Sequence, residues 1–116
     1  MTKENSATKS RQERSEKKLE RDLSDIRAVS KTPEGRRFMW RILSRSGVFR
    51  TNGCSDAIQM AKVEGMREYG IELLNDIMHA KSSLFSQLQQ EHASEKKREL
   101  IEIESETEKS DPLSLN

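Results

Sequence analysis

The chain has 116 residues, enough for one domain, but its composition leaves room for only a small core. Of these residues 32% are apolar and 35% are charged, whereas an ordinary globular chain is roughly 45–50% apolar. There is no run of roughly 18 apolar residues to cross a bilayer, and no signal peptide is predicted. Cys54 is the single cysteine, which excludes an internal disulfide and a multi-cysteine metal site. We therefore expect a cytosolic protein without a membrane anchor, parts of which order only on a partner.

The net charge of +1 conceals an uneven distribution along the chain. Residues 27–54 contain seven basic residues and one acidic residue, whereas residues 91–116 contain four basic and eight acidic residues. Positive charge is thus concentrated before the middle of the chain, and negative charge is concentrated near its C-terminal end.

The chain begins with a polar stretch without periodicity, residues 1–10, which we interpret as a flexible N-terminal arm. A first helix is predicted from near Ser10 to about Ser30, because strong helix formers dominate this stretch. Its apolar residues recur at steps of four, three and three, which places them on one stripe: Leu19, Leu23, Ile26 and Val29. The helical domain as a whole is expected to span residues 11–88.

A second helix is predicted to begin at Pro33 and to run to about Ser46. Thr32 can cap it, proline suits the first helical position, and Glu34 complements the positive end of the helix dipole. Gly47 can adopt the left-handed conformation that ends a helix.

The second helix has two faces. At 100° per residue the apolar residues Phe38, Met39, Ile42 and Leu43 fall within one arc, and Trp40 lies between this arc and a strip of arginines. We predict four core residues here: Phe38, Trp40, Ile42 and Leu43. For Trp40 the alternative is a platform for stacking nucleic-acid bases.

Residues 34–50 contain one acidic side chain, Glu34, and five arginines: Arg36, Arg37, Arg41, Arg45 and Arg50. Such a density favours contact with phosphates or with an acidic protein surface. The alternative is pairing with an acidic face of the third helix, formed by Glu64, Glu68, Glu72 and Asp76. In that case the arginines would only line the edge of the core.

A long third helix is predicted after a turn at Asn52-Gly53, with Ser55 or Asp56 as its cap. Its apolar residues recur at alternating steps of four and three, which is typical of a helical seam. We identify as candidate partner seam Leu73, Ile77, Leu84 and Leu88. The chain's own helices or a second copy in a homo-oligomer could cover this seam. Gly65 and Gly70 indicate close approach of a neighbouring helix.

The predicted fold is therefore all-α. It consists of a small three-helix core with a long third helix and with charged, partly flexible helical extensions at both ends. Residues 89–116 form a charged helical extension and a tail. Asp111 and Pro112 are expected to end the helical part, and the tail follows them.

Sequence signatures of catalysis are absent: we find no phosphate-binding glycine loop, zinc-type histidine pair or nucleophile elbow. His79 and His92 are separated and have polar neighbours, so we expect both on a helix surface. We predict a protein that is not an enzyme and that uses no cofactor or metal.

The segment Thr32-Pro33-Glu34-Gly35-Arg36-Arg37-Phe38-Met39-Trp40-Arg41-Ile42-Leu43, followed by Gly47-Val48-Phe49-Arg50, resembles a small domain family of tailed bacteriophages. That family is named after a protein of a Bordetella phage. A second segment, Glu64-Gly65-Met66-Arg67 with Gly70-Ile71-Glu72-Leu73-Leu74, is similar to the family's next helix, so the resemblance covers about residues 22–80.

The resemblance implies a minor structural or internal virion protein, or an assembly factor, of a tailed bacteriophage. Its partners would be larger virion proteins of the portal, internal core or tail region, bound through helical surfaces. We then expect it in the host cytoplasm during infection and in the virion. The alternative is a small nucleic-acid-binding or host-modulating phage protein that acts through the arginine strip.

Overall fold

The computed structural model describes residues 3–50 and 56–110, and its regular elements in these ranges are all α-helices. In chain order they are α1 (Lys3–Val29), α2 (Pro33–Ser46), α3 (Ala57–Ala80) and α4 (Leu84–Ser110). The predicted all-α class is therefore confirmed. The predicted turn at Asn52-Gly53, Cys54, and the predicted helix end and tail from Asp111 onward lie outside the described residues.

The ends of α2 and the start of α3 follow the local signals in the sequence. The Thr32 side chain accepts a 3.0 Å hydrogen bond from the Gly35 backbone N–H, and Gly47 closes α2 with a φ of 83°. At α3, Asp56 accepts a 2.9 Å hydrogen bond from the Ile58 backbone N–H. These caps confirm the predicted boundaries, because each is a contact between residues close together in the chain.

The prediction of three helices with one long third helix is wrong, because the chain breaks between α3 and α4. Lys81 is extended, with φ −158° and ψ 117°. Ser82 and Ser83 follow, and serine favours turns and caps over a helix interior. The break lets Leu84 turn back onto the same core as Ile77. The sequence pattern did not indicate this break, because the spacing of the apolar residues continues across the turn.

The first helix begins at Lys3, well before the predicted start near Ser10. Residues 5–22 are exposed throughout, and Leu23 is the first buried side chain. The predicted apolar stripe is therefore only partly used, because Leu19 is 51% exposed and Val29 is 45% exposed. Arg27 links the end of α1 to the end of α3, because its Nε donates a 2.7 Å hydrogen bond to the Ala80 carbonyl oxygen.

The core lies where α2, α3 and α4 meet. Its buried members are Met39, Leu43, Ile77, Leu84 and Leu88. Gly70 allows α3 to approach the end of α2, because a Cβ at this position would overlap the side chain of Ser46. The predicted close approach is thus confirmed at Gly70, whereas the corresponding space at Gly65 is open.

The molecule is elongated. Its radius of gyration is 21.8 Å and its extents are 89 × 40 × 16 Å, whereas a compact chain of this length would have a radius of gyration of about 13 Å. The difference arises because residues 5–22 of α1 and residues 96–110 of α4 are exposed throughout and project from the core. None of the helices described is long and apolar enough to cross a membrane.

Candidate functional site: partner-binding surfaces

The arginines of the predicted contact strip are divided between two environments. Arg37, Arg41 and Arg45 are exposed and, at steps of four along α2, lie on one side of the helix, which we call the arginine row. Arg50, also exposed, lies in the turn that follows α2. Arg36 is instead directed onto α4, so the arginine row contains three of the five predicted contact residues.

Arg36 is held between α2 and α4. Its Nε lies 2.9 Å from the Glu91 carboxylate, and the guanidinium also donates a 2.9 Å hydrogen bond to the Ser30 carbonyl. Only 14% of the Arg36 side chain is exposed. For Arg36, therefore, the acidic partner lies on α4 and not on the predicted acidic face of α3.

The hydrogen bond from Arg36 holds the pKa of Glu91 below its ordinary value. A hydrogen bond from Gln87 lowers this pKa further, whereas partial burial opposes the shift. The carboxylate form of Glu91 is thus part of the contact between α2 and α4.

Trp40 lies at the centre of an aromatic cluster at the edge of the core. Its ring centroid is 5.2 Å from that of Phe49, 6.2 Å from that of Phe85 and 4.9 Å from that of His92, all in stacked arrangements. Stacking of this kind stabilises contacts between elements. The half-buried Trp40 therefore packs within the chain, in agreement with the core interpretation. His92 is exposed at the helix surface, as expected, but its contact with Trp40 was not predicted.

The buried side of α2 is only part of the predicted apolar arc. Phe38, assigned to the core from the sequence, is 50% exposed, whereas Met39 is only 4% exposed and Leu43 is fully buried. The core-facing residues therefore follow a line through Met39 and Leu43, and Phe38 lies about 100° away from Met39. The Arg41 guanidinium lies over the Phe38 ring, with its Cζ 5.3 Å from the ring centroid. Ile42 is half-buried beside α3.

The predicted partner seam is occupied by the chain itself. Ile77, Leu84 and Leu88 have at most 2% of their surface exposed, and Leu73 packs against the same cluster. The α3–α4 turn folds the two halves of the seam onto one core. Leu84 to Leu88 consequently cannot serve as an exposed partner surface.

A different side of α3 carries exposed apolar residues that were not included in the predicted partner seam. Met60, Ile71 and Met78 are 41%, 42% and 45% exposed, and their spacings of eleven and seven residues place them on one side of the helix. We call this set the α3 row. The sequence contains a signal for this row, because Ile71 and Met78 each follow a seam residue, Gly70 and Ile77, by one position.

An apolar groove lies between the second half of α2 and the first half of α3. It has an open volume of about 450 Å³ and is lined by Ile42, Arg45, Ser46, Gly65, Met66 and Tyr69. Met66 is 55% exposed and Tyr69 is 61% exposed. This part of α3 therefore presents apolar surface that the described residues leave uncovered.

The distal part of α4 is an acidic segment, residues 99–108, which we call the acidic arm. Five of its ten residues are glutamate and none is basic. Leu100 is 55% exposed and Ile103 is 57% exposed, and their spacing of three places them on one side of the helix. Ile101, 56% exposed, lies on another side.

Potential metal ligands do not cluster in the described ranges, where no group of three or more His, Cys, Asp or Glu side chains could hold an ion. His79 lies on the surface of α3, with its Nδ1 2.7 Å from the Asn75 carbonyl oxygen. The features that the surface does present are the arginine row, the α3 row, the apolar groove and the acidic arm.

These features define an all-helical protein with a small core and long projecting helices. The chain belongs to the family of Bbp19-like phage proteins, whose sequence profile matches residues 26–100. The matched range begins near the end of α1 and continues into α4, so it contains every buried core position from α2 to α4. This match confirms the resemblance to a phage family. Neither the curated proteins nor the solved structures contain a match to the chain.

Proposed function

We propose that the protein is a minor structural or internal virion protein, or an assembly factor, of a tailed bacteriophage, which binds a multimeric virion partner. The partner would be a larger protein of the portal, internal core or tail region. The observation that carries this proposal is the α3 row, because Met60, Ile71 and Met78 remain exposed although they lie on a helix that is central to the fold.

The α3 row has the dimensions of a helix-binding surface. Its ends are eighteen residues apart, which corresponds to roughly 27 Å along a helix. Exposed apolar rows of this length lose contact with water when a second helix packs along them. The seam inferred from the sequence is buried, so the proposed partner surface moves from Leu84–Leu88 to this side of α3.

A phage variant with Ile71→Glu and Met78→Glu tests this surface. Both residues are more than 40% exposed, so the free energy of unfolding should change by only about 0.5 kcal/mol. We expect the variant protein to be lost from purified particles while it remains folded in the infected cell.

Ile58→Glu with Ile101→Glu is the matched control, because it places the same two charges on exposed apolar residues outside the α3 row. Incorporation of this control should match that of the wild type. Equal incorporation of the α3-row variant would remove the α3 row as the partner surface.

The arginine row supports a second candidate, binding of nucleic acid or of an acidic host protein. Arg37, Arg41 and Arg45 are exposed within two turns of α2, and arginine contacts phosphates and carboxylates with several donors at once. We expect Arg37→Ala, Arg41→Ala and Arg45→Ala together to abolish any salt-sensitive DNA or RNA binding. Arg11→Ala, Arg14→Ala and Arg21→Ala together serve as the matched control, because these three exposed arginines lie on α1, outside the contact strip. Undetectable binding by the wild type at low salt would exclude this candidate as a nucleic-acid binder.

A further inference from the structure

The apolar groove is a continuation of the side of α3 that the chain buries elsewhere. Met66 precedes Gly70 and Ile77 on the core-facing side, yet it is 55% exposed because α2 ends beside it. Gly65 has open space around the position of a Cβ, so no contact with residues 3–50 or 56–110 explains a glycine there. In a helix interior a glycine is less stable than alanine by roughly 1 kcal/mol. An exposed Met66 beside a glycine in a helix interior indicates a surface that another helix approaches closely.

The charged side chain that lines the apolar groove is basic. Arg45 lines the groove from α2, and Lys62, which is exposed, lies one turn before Met66 on α3. The remainder of the arginine row extends from Arg45 along α2. An occupant of the apolar groove should therefore combine an apolar stripe with acidic flanks.

The acidic arm has this chemistry. Leu100 and Ile103 share one exposed side, and glutamates at 99, 104 and 106 flank that side. Nothing in the described fold covers either apolar side chain, since residues 96–110 are exposed throughout.

The acidic arm cannot reach the apolar groove of its own chain. Glu91 contacts Arg36 in the first turn of α2, and Glu102 lines a cleft with Pro33, where α2 begins. The continuous helix α4 therefore passes the beginning of α2, whereas the apolar groove lies beside the end of α2 at Ile42 and Ser46. Contact between the two surfaces requires another copy.

We propose that the acidic arm of one copy docks in the apolar groove of a second copy, with Leu100 and Ile103 against Met66 and Tyr69. The glutamates then lie beside Arg45 and Lys62, so association weakens as salt is added. Every copy carries both surfaces, which permits a reciprocal pair or a longer assembly. This inference goes beyond binding of a larger virion partner and uses a different surface from the α3 row.

Site-specific cross-linking of the purified protein tests the contact. In a Cys54→Ser background, copies with Met66→Cys are mixed with differently tagged copies carrying Ile103→Cys, and disulfides between the two tags are measured after mild oxidation. We expect efficient mixed disulfides. Mixing Met66→Cys with Ile101→Cys provides the matched control, because position 101 is on the same arm but on another side, and it should cross-link much less.

Analytical ultracentrifugation gives a second readout. The wild type should sediment above the 13.4 kDa mass of one chain. Leu100→Ser with Ile103→Ser should raise the dissociation constant by about tenfold or more, because two apolar side chains lose their burial. Ile101→Ser should leave it unchanged. A wild type that stays monomeric up to millimolar concentration, or equal cross-linking at positions 101 and 103, would overturn the proposal. Both readouts use the isolated protein, so they are independent of incorporation into particles.

Discussion

Two glycines of α3 differ in a way that a single-residue substitution can measure. Gly70→Ala should destabilise the fold by about 1–3 kcal/mol, because the added Cβ overlaps Ser46 and the helices must separate. Gly65→Ala should instead stabilise it by about 0.5–1 kcal/mol, because the position is open and alanine favours a helix. Chemical denaturation of dilute protein measures both changes, and equal effects would contradict the close approach at Gly70.

The Arg36–Glu91 pair should make stability depend on acidity. Since the folded-state pKa of Glu91 lies below its ordinary value of 4.5, the stabilisation is fully present above that value and is lost as pH falls through the lowered pKa. Glu91→Gln should remove this acid dependence. It should cost about 1 kcal/mol at neutral pH, a modest value because the Glu91 side chain is 38% exposed.

A pH series of urea denaturation on the wild type and on Glu91→Gln measures the pair. Glu95→Gln, one turn further along α4, provides the control and should retain the wild-type acid dependence. Parallel pH profiles for the wild type and Glu91→Gln would show that the ion pair contributes nothing.

Individual contacts across the core could not be predicted from the sequence. The periodicity of α2 identified an apolar arc, but its rotation relative to α3 and α4 decided that Met39 would be buried and Phe38 exposed. Likewise, His92 stacks on Trp40 because α4 folds back against α2, and nothing in the residues around His92 indicates this contact. Arg36 belongs to the arginine cluster seen in the sequence, but its inward direction depends on Glu91, which is 55 residues away in the chain.

At the level of the helices, the α3–α4 turn can be tested through the two ends of α4. Leu88→Ala should destabilise the protein by about 2–5 kcal/mol, because Leu88 is only 2% exposed in the core. Leu100→Ala should change stability by less than about 0.5 kcal/mol, because Leu100 is 55% exposed. Thermal unfolding of dilute samples distinguishes them. Equal stabilities would mean that Leu88 faces a partner, as the sequence first suggested.

Helix boundaries set by neighbouring residues were predictable, and a boundary set by packing was not. Thr32, Gly47 and Asp56 act through contacts within a few residues, so α2 and the start of α3 agree with their sequence signals. The turn at Lys81 has no glycine or proline and leaves the apolar spacing unbroken. It is used because turning α4 back buries Leu84 and Leu88 against Ile77. The predicted seam, which continues from Leu73 on α3 to Leu88 on α4, is consequently buried within the chain.

For the whole molecule, stability should be concentrated in a small central region. Residues 5–22 and 96–110 make long exposed helices, and such helices derive little support from packing. Hydrogen exchange on dilute protein should therefore be fast in these stretches and slow around Leu43 and Ile77. Uniform protection from residue 5 to residue 110 would contradict this division. Higher protein concentration should slow exchange in the acidic arm first, because a second copy then covers it.

The proposed virion role depends on whether the protein is part of the particle. The most direct measurement is mass spectrometry of gradient-purified phage particles and assembly intermediates, with the copy number determined against the major capsid protein. We predict detection at a fixed copy number in particles or in an assembly intermediate, because a protein that binds a multimeric partner is incorporated in proportion to it. Absence from both, with abundant protein free in the infected cell, would contradict the virion and assembly role and favour the arginine row as the functional surface.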